Sequence, residues 1–137
     1  PLRRADGSPN DALVAAYAAI HQRTVNIADV YAEAGFDFSG THAFDQRTGY
    51  RSQSFLTVPM KNHEGMVIGV LQLINAIDPA TGQVGPFSPE DQSLTESLAS
   101  SVEVRAAFTL SAAIWFFAGS PCLIVNVLYF EKSVPGA

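Results

Sequence analysis

The sequence predicts an α+β fold, an antiparallel sheet with helices packed against it, and three observations carry that reading. Residues 54–60 set Phe55, Thr57 and Pro59 against Leu56, Val58 and Met60, the two side-chain sets of a strand. Asn62-His63-Glu64-Gly65 reads as a hairpin turn in which Gly65 takes a positive φ, and Met66 to Ile74 is the near-continuous apolar run of a central strand. Ser88-Pro89 then opens a helix, with Ser88 as its cap, Pro89 at its first position and Asp91 at its third, where an acid suits the helix dipole. Strands and helices follow no regular βαβ alternation, so the sequential hairpin implies antiparallel pairing.

The remaining elements follow in order. Residues 1–10 read as loop, with Gly7-Ser8-Pro9-Asn10 as turn chemistry. Asn10 or Asp11 is expected to cap a helix through Gln22, whose apolar stripe is Leu13, Ala16, Tyr17 and Ile20. Thr24-Val25-Asn26 is a short strand, Asp29–Ala34 a short helix stopped by Gly35, and Thr41–Arg47 a helical turn before Thr48-Gly49. Pro59 is tolerated near a strand end or on an edge. Asp78–Gly82 opens a loop to Phe87. Leu94, Leu98, Val102 and Ala106 would be the buried face of a helix from residue 88 to about 118.

The 137 residues suffice for one domain with a core, and the expectation is a single domain over 1–137. An apolar fraction of 47% with 15% charged residues fits a folded chain, and a net charge of −5 gives no basic footprint for nucleic acid. The single cysteine, Cys122, makes no internal disulfide and suggests a buried small hydrophobe. The amino-terminal residues lack both an apolar signal run and an initiator Met, so the expectation is a cytoplasmic fragment or processed chain. Residues 106–130 carry no Asp, Glu, Lys, Arg or His, 25 in all and long enough to span a bilayer. Gly119-Ser120-Pro121 interrupts that run, since a Pro inside a helix costs about 3 kcal/mol. The preferred reading is therefore a helix ending near Ala118 and a strand over Leu123–Phe130, with membrane insertion or an unstructured tail as the competing readings.

Three pieces, Asn26-Ile27-Ala28-Asp29-Val30-Tyr31, Thr48-Gly49-Tyr50-Arg51-Ser52 and Val67 to Asn75, stand in the order and spacing of a GAF domain. The chain resembles that family over about residues 11–105, leaving 106–137 as an atypical apolar tail. The family occurs in cyclic-nucleotide phosphodiesterases, adenylate cyclases and bacterial signalling proteins. The resemblance implies a profilin-like antiparallel sheet with helices on one face and, on the other, a ligand cavity under short helices. Cyclic-nucleotide-binding members carry Asn-Lys, a loop, then Phe, three residues and Asp-Glu. Here Asn75, Phe87 and Asp91 are kept, while Ala76 and Gln92 replace the Lys and the Glu. Losing the Lys–Asp pair costs about 0–1 kcal/mol if it is exposed. The plain reading of Asn75, Phe87 and Asp91 is a turn, a core aromatic and a helix-start acid.

Carried over residue by residue, the resemblance puts Val14 and Ala15 at the start of the first helix, whose amides can meet a phosphate. It sets Asp45, Thr48 and Ser52 beside the pocket, offering a carboxylate and two hydroxyls to a base or ribose. Gln72 stands where some members place a Glu facing the purine. Against this, Thr48 and Ser52 bracket a tight Gly49 turn and could serve as local backbone caps. Family members begin with a helix and two strands ahead of the position of Asp11. The resemblance thus implies an amino-terminally truncated domain; the loss of the first strands would expose a sheet edge, and the expectation is that the Leu123–Phe130 strand adds to the sheet there.

Catalysis finds little support in the residues. His21, His42 and His63 share no metal-ligand spacing with another His, Cys or acid, and there is no Gly-rich phosphate loop. His63 sits in the hairpin turn, His21 ends a helix, and His42 near Asp45 is a candidate to face the pocket. An enzyme acting on small oxidised metabolites, as some free-standing GAF proteins are, would need paired reactive cysteines. The resulting expectation is a non-catalytic regulatory module of a larger signalling protein. It has no resident cofactor and senses a small molecule, with cyclic AMP or cyclic GMP as the candidate ligand. Its expected partners are an output domain on the same polypeptide and a second copy in a homodimer, without nucleic acid or membrane. The alternative is a ligand-free interaction or dimerisation module.

Overall fold

The computed structural model describes residues 2–100 and the backbone of residues 114–115 and 122–134. Its centre is the hairpin of β2 (Phe55–Lys61) and β3 (Val67–Ile77), paired antiparallel with Phe55 opposite Ile74 and Val58 opposite Leu71. The turn forms as its residues require: Gly65 has φ 80°, and Asn62 Oδ1 accepts from the amides of Glu64 and Met66. The short strand β1 (Val25–Ile27) pairs only with Phe55–Thr57, so Pro59 lies beyond its end and leaves no ladder bond unmade there.

The two strands sort their side chains between two faces. Leu56, Val58, Met60 and Leu71 join Phe87 and Ala99 in one buried cluster beneath α3 (Pro89–Ala99). Phe55 and Ile74 turn to the opposite face, where they meet Val14, Ile27, Val30 and Phe38. Two helices cover that second face, α1 (Val14–His21) and α2 (Ser39–Thr48). Ala18 and Ala19 of α1 are fully buried on Val67 and Val70, the small side chains letting the helix lie close to the sheet. Phe38 meets Phe55 edge-on at 5.5 Å, and Phe36 meets Tyr17 at 5.3 Å, which ties the segment before α2 to both sheet and helix.

At the end of β3 the alternation breaks. Asn75 takes the left-handed conformation with φ 63°, and Ala76 turns to the α3 face that Leu71 shares. Asn is one of the few residues that adopt this geometry readily, because its side chain bonds locally. Here Nδ2 donates to Tyr50 Oη and Arg51 O, each at 2.8 Å, and Oδ1 accepts from the Gln53 amide at 2.6 Å. One buried amide thus holds residues 50–53 against the sheet end. A two-residue strand, β4 (Val84–Gly85), pairs with β3 at Ala76 and Ile77 inside what reads from sequence as loop.

The tail forms the expected strand and extends it. β6 (Cys122–Val134) lies antiparallel to β3 along most of its length, with Asn126 in register with Gln72, and β5 (Ile114–Trp115) pairs on its far side. The strand order is β1-β2-β3-β6-β5 among the described residues. The expected helix over 88–118 is corrected. α3 ends at Ala99, and Ile114–Trp115 is strand, while 101–113 and the 119–121 turn fall outside the described residues. Its buried residues are Thr95 and Ala99, whereas Leu94 and Leu98 are 70% and 51% exposed. Val102 and Ala106 lie outside the described residues. At the other end, α1 begins at Val14 rather than Asp11, and neither Asn10 nor Asp11 caps it. Its N-cap is Leu13, and the Asp11 carboxylate instead meets His21 Nε2 at 2.8 Å. Residues 29–34 make a single hydrogen-bonded turn, not a helix, through the Ala32 and Glu33 amides on Asp29 O.

Candidate functional site

A cavity of about 280 Å³ opens on the sheet face covered by α1 and α2. One wall is Leu13, Val14 and Ala15, the turn leading into α1. Another is Asp37, Phe38, Gly40 and Thr41, where the chain enters α2, and the sheet contributes Phe55 and Gln72 as the floor. The volume stands at the lower end of small-molecule sites. No side chain caps α1, so its first-turn amides are free of the Ser, Thr or Asp oxygen that would otherwise occupy them. Gln72 is nine-tenths buried, and its Nε2 donates to Thr57 Oγ1 at 3.1 Å, directly across the hairpin. That bond fixes the amide plane.

Among the described residues, Asp37 is the one charged group in the cavity wall. Its Oδ1 accepts from the Ser39 amide at 2.9 Å, which holds the turn into α2. Hydrogen bonding from Ser39, helped by the proximity of His42, lowers its pKa against a smaller opposing effect of burial.

Of the residues expected beside a ligand, Val14, Ala15 and Gln72 come together at this cavity. Asp45, Thr48 and Ser52 do not reach its walls. Asp45 is only 5% exposed and its carboxylate is engaged on both oxygens. Oδ2 accepts from Tyr31 Oη at 2.7 Å and the Ser52 amide at 2.9 Å, and Oδ1 accepts from Ser52 Oγ at 2.8 Å. Desolvation by burial pushes its pKa up, but the hydrogen bonds from Tyr31 and Ser52 outweigh that and hold it below the usual carboxylate range. The same bond raises the Tyr31 pKa. Thr48 is exposed; its Oγ1 donates to Phe44 O at 2.8 Å and accepts from the Tyr50 amide at 3.3 Å, a local cap on the end of α2. His42 stacks on Tyr31 at 4.4 Å instead of lining the cavity, and Arg51 covers the Tyr31 ring at 4.2 Å. These residues lock α2 to the segment before β2.

The GAF-domain family model matches residues 2–106. The chain belongs to the GAF-domain family. Among its relatives is the dual 3',5'-cyclic-AMP and -GMP phosphodiesterase 11A of Takifugu rubripes, 35% identical over 80 residues. That alignment covers 58% of this chain and 8% of the phosphodiesterase, so the chain spans under a tenth of that relative's length. In this GAF domain, Asn75, Phe87 and Asp91 act structurally. Asn75 holds residues 50–53, Phe87 is buried in the core beneath α3, and Asp91 closes a capping box with Ser88. Ala76 gives Asp91 no cationic partner, and a recess of about 410 Å³ lies between them, lined also by Asp78 and Pro86. Gln92, in place of the acid, accepts from Asn26 Nδ2 at 3.4 Å and donates to Glu96 at 3.1 Å.

Sequence reasoning missed the wall and floor residues Leu13, Asp37, Phe38, Thr41 and Phe55. The Asp37-Phe38-Ser39 run carried a usable signal. An Asp whose oxygen takes the amide two residues on turns the chain and aims the intervening aromatic inward. Among the described residues there is no His, Cys, Asp and Glu grouping suited to a metal ion, and no helix long and apolar enough to cross a membrane.

Proposed function

We propose that this chain is a non-catalytic regulatory module of a larger cytoplasmic signalling protein, and that it senses a cyclic nucleotide. The observation that carries the reading is the cavity over the sheet, with the uncapped first turn of α1 at one wall and Gln72 in the floor. The amides of Val14 and Ala15 suit a phosphate. Gln72, with its nitrogen held by Thr57, offers its carbonyl oxygen to a donor on a base edge. Phe38 and Phe55 supply apolar surface for a ring. Family membership and the phosphodiesterase relative support a sensing role with an output domain on the same polypeptide. Calorimetric titration with cyclic AMP and cyclic GMP tests it. Saturable heat with either one supports the reading, and its absence at millimolar ligand defeats it.

The second reading is an interaction module that pairs with another copy. Leu94 and Leu98, one turn apart on the outer side of α3, favour it, since paired exposed leucines suit a helix-to-helix contact. Sedimentation of the wild type and of Leu94→Lys separates the two. A dimer that the substitution dissociates, with no nucleotide heat in either protein, selects the interaction reading.

A further inference from the structure

A second recess, about 480 Å³, lies between the turn after α1, the far end of β2 and α3. Its walls hold Arg23 and Lys61, and the half-buried Pro59 gives it an apolar part. Both cations are exposed, and neither side chain has a partner among the described residues. The backbone that carries Arg23 is fixed. Gln22 closes α1 in the left-handed conformation with φ 53°, and the Gln22 and Arg23 amides both bond Ala18 O. Glu96, the acid in the wall among the described residues, is drawn aside: Oε1 accepts from Thr24 Oγ1 at 2.8 Å and from Gln92 Nε2 at 3.1 Å. Two uncommitted cations at a concave site stand out on a chain of net charge −5, because a cleft focuses their field.

We propose that this recess binds a small organic anion, a phosphate or carboxylate joined to an apolar group. The anionic head sits between Arg23 and Lys61 and the apolar part rests on Pro59. The site is separate from the cavity under α1 and α2, shares none of its lining residues, and stands or falls independently of nucleotide binding.

Amide chemical shifts of the whole chain, titrated with phenyl phosphate, benzoate and inorganic phosphate, test the assignment. The expected result is saturable movement at residues 22–24 and 58–61, with phenyl phosphate binding tighter than inorganic phosphate. Tighter binding of phenyl phosphate than of benzoate identifies a phosphate head, the reverse order a carboxylate, and either order supports the site. Arg23→Ala and Lys61→Ala, surface changes that leave the core intact, should each weaken binding about threefold to fivefold, the scale of an exposed charge pair. Glu96→Gln keeps the acceptor oxygen for Thr24 while removing the repelling charge, so it should tighten binding. No movement at these residues overturns the proposal. Movement confined to 13–15 and 37–41, or binding unchanged in both cation variants, does so equally.

Discussion

Two polar clusters sit at either end of α2, and they differ in what their groups still have to give. At the C-terminal end, Asp45 receives three hydrogen bonds, Ser52 is buried beneath it, and Tyr31 is covered by His42 on one side and Arg51 on the other. At the N-terminal end, Gln72 lines a cavity with its amide nitrogen committed to Thr57, beside the α1 terminus that no side chain caps. The Asp45 carboxylate, which takes hydrogen bonds from Tyr31 and Ser52 on both oxygens, serves stability, although His42 Nε2 in the same cluster is buried without a hydrogen-bond partner among the described residues. A polar cluster beside an empty volume is where a ligand can replace lost water contacts. Residue type alone does not separate the two, since both use a buried polar residue next to a hydroxyl.

Asp45→Ala would leave the Ser52 amide, the Ser52 hydroxyl and the Tyr31 hydroxyl without their acceptor. Urea denaturation should show a loss of about 2–4 kcal/mol. Any nucleotide affinity of the molecules still folded should hold, because Asp45 does not line the cavity. Asn75→Ala should cost about 2–3 kcal/mol, from lost hydrogen bonds and an L-residue other than Asn held at positive φ. Asn75→Gly should recover part of that, because it relieves the φ and not the bonds.

Gln72→Leu tests the other cluster. It should cost about 1–2 kcal/mol, because the buried Thr57 hydroxyl loses its donor, while weakening nucleotide binding about tenfold, read by calorimetry beside a melt. A variant that lost stability and kept affinity would reverse the roles assigned to the two ends of α2. Smaller still is Ser88→Ala, which removes the acceptor for the Asp91 amide and should cost about 1 kcal/mol with no effect on either cluster.

The acid limb of stability sharpens the same distinction. Asp45 and Asp37 both have depressed pKa values in the folded chain. Groups of that kind add stability that is present above their unfolded value of about 3.9 and is lost as pH falls through the folded value. Denaturation midpoints should therefore hold from neutrality to about pH 4 and drop below it. Asp45→Asn should flatten that drop. The raised Tyr31 pKa acts at the opposite limb, where its contribution is present below the unfolded value of about 10 and is lost as pH rises further.

The hairpin, the Ser88 cap and the tail strand were legible because each follows from local chemistry: side-chain alternation, a turn glycine, a Ser-Pro pair, a run of β-branched residues. What hid was long-range. The left-handed turn at Asn75 depends on residues 50–53 coming alongside the strand, which no periodicity encodes. Leu94 and Leu98 fit a helical apolar stripe, yet the sheet meets the face carrying Thr95 and Ala99, where small side chains allow close packing. Asp45 and Ser52 were visible as polar residues near a turn. Whether they faced a ligand or each other was set by Tyr31, fourteen positions earlier, whose hydroxyl reaches the same carboxylate.

The most direct test of the account is the amide spectrum of the chain titrated with cyclic AMP and with cyclic GMP. Ligand in the cavity should move the amides of Val14, Ala15, Phe38, Thr41 and Gln72 along one saturable curve and leave Asp45 and Ser52 nearly still. Movement centred on Thr48, Asp45 and Ser52 with residues 13–15 silent, or no movement at millimolar nucleotide, would contradict it.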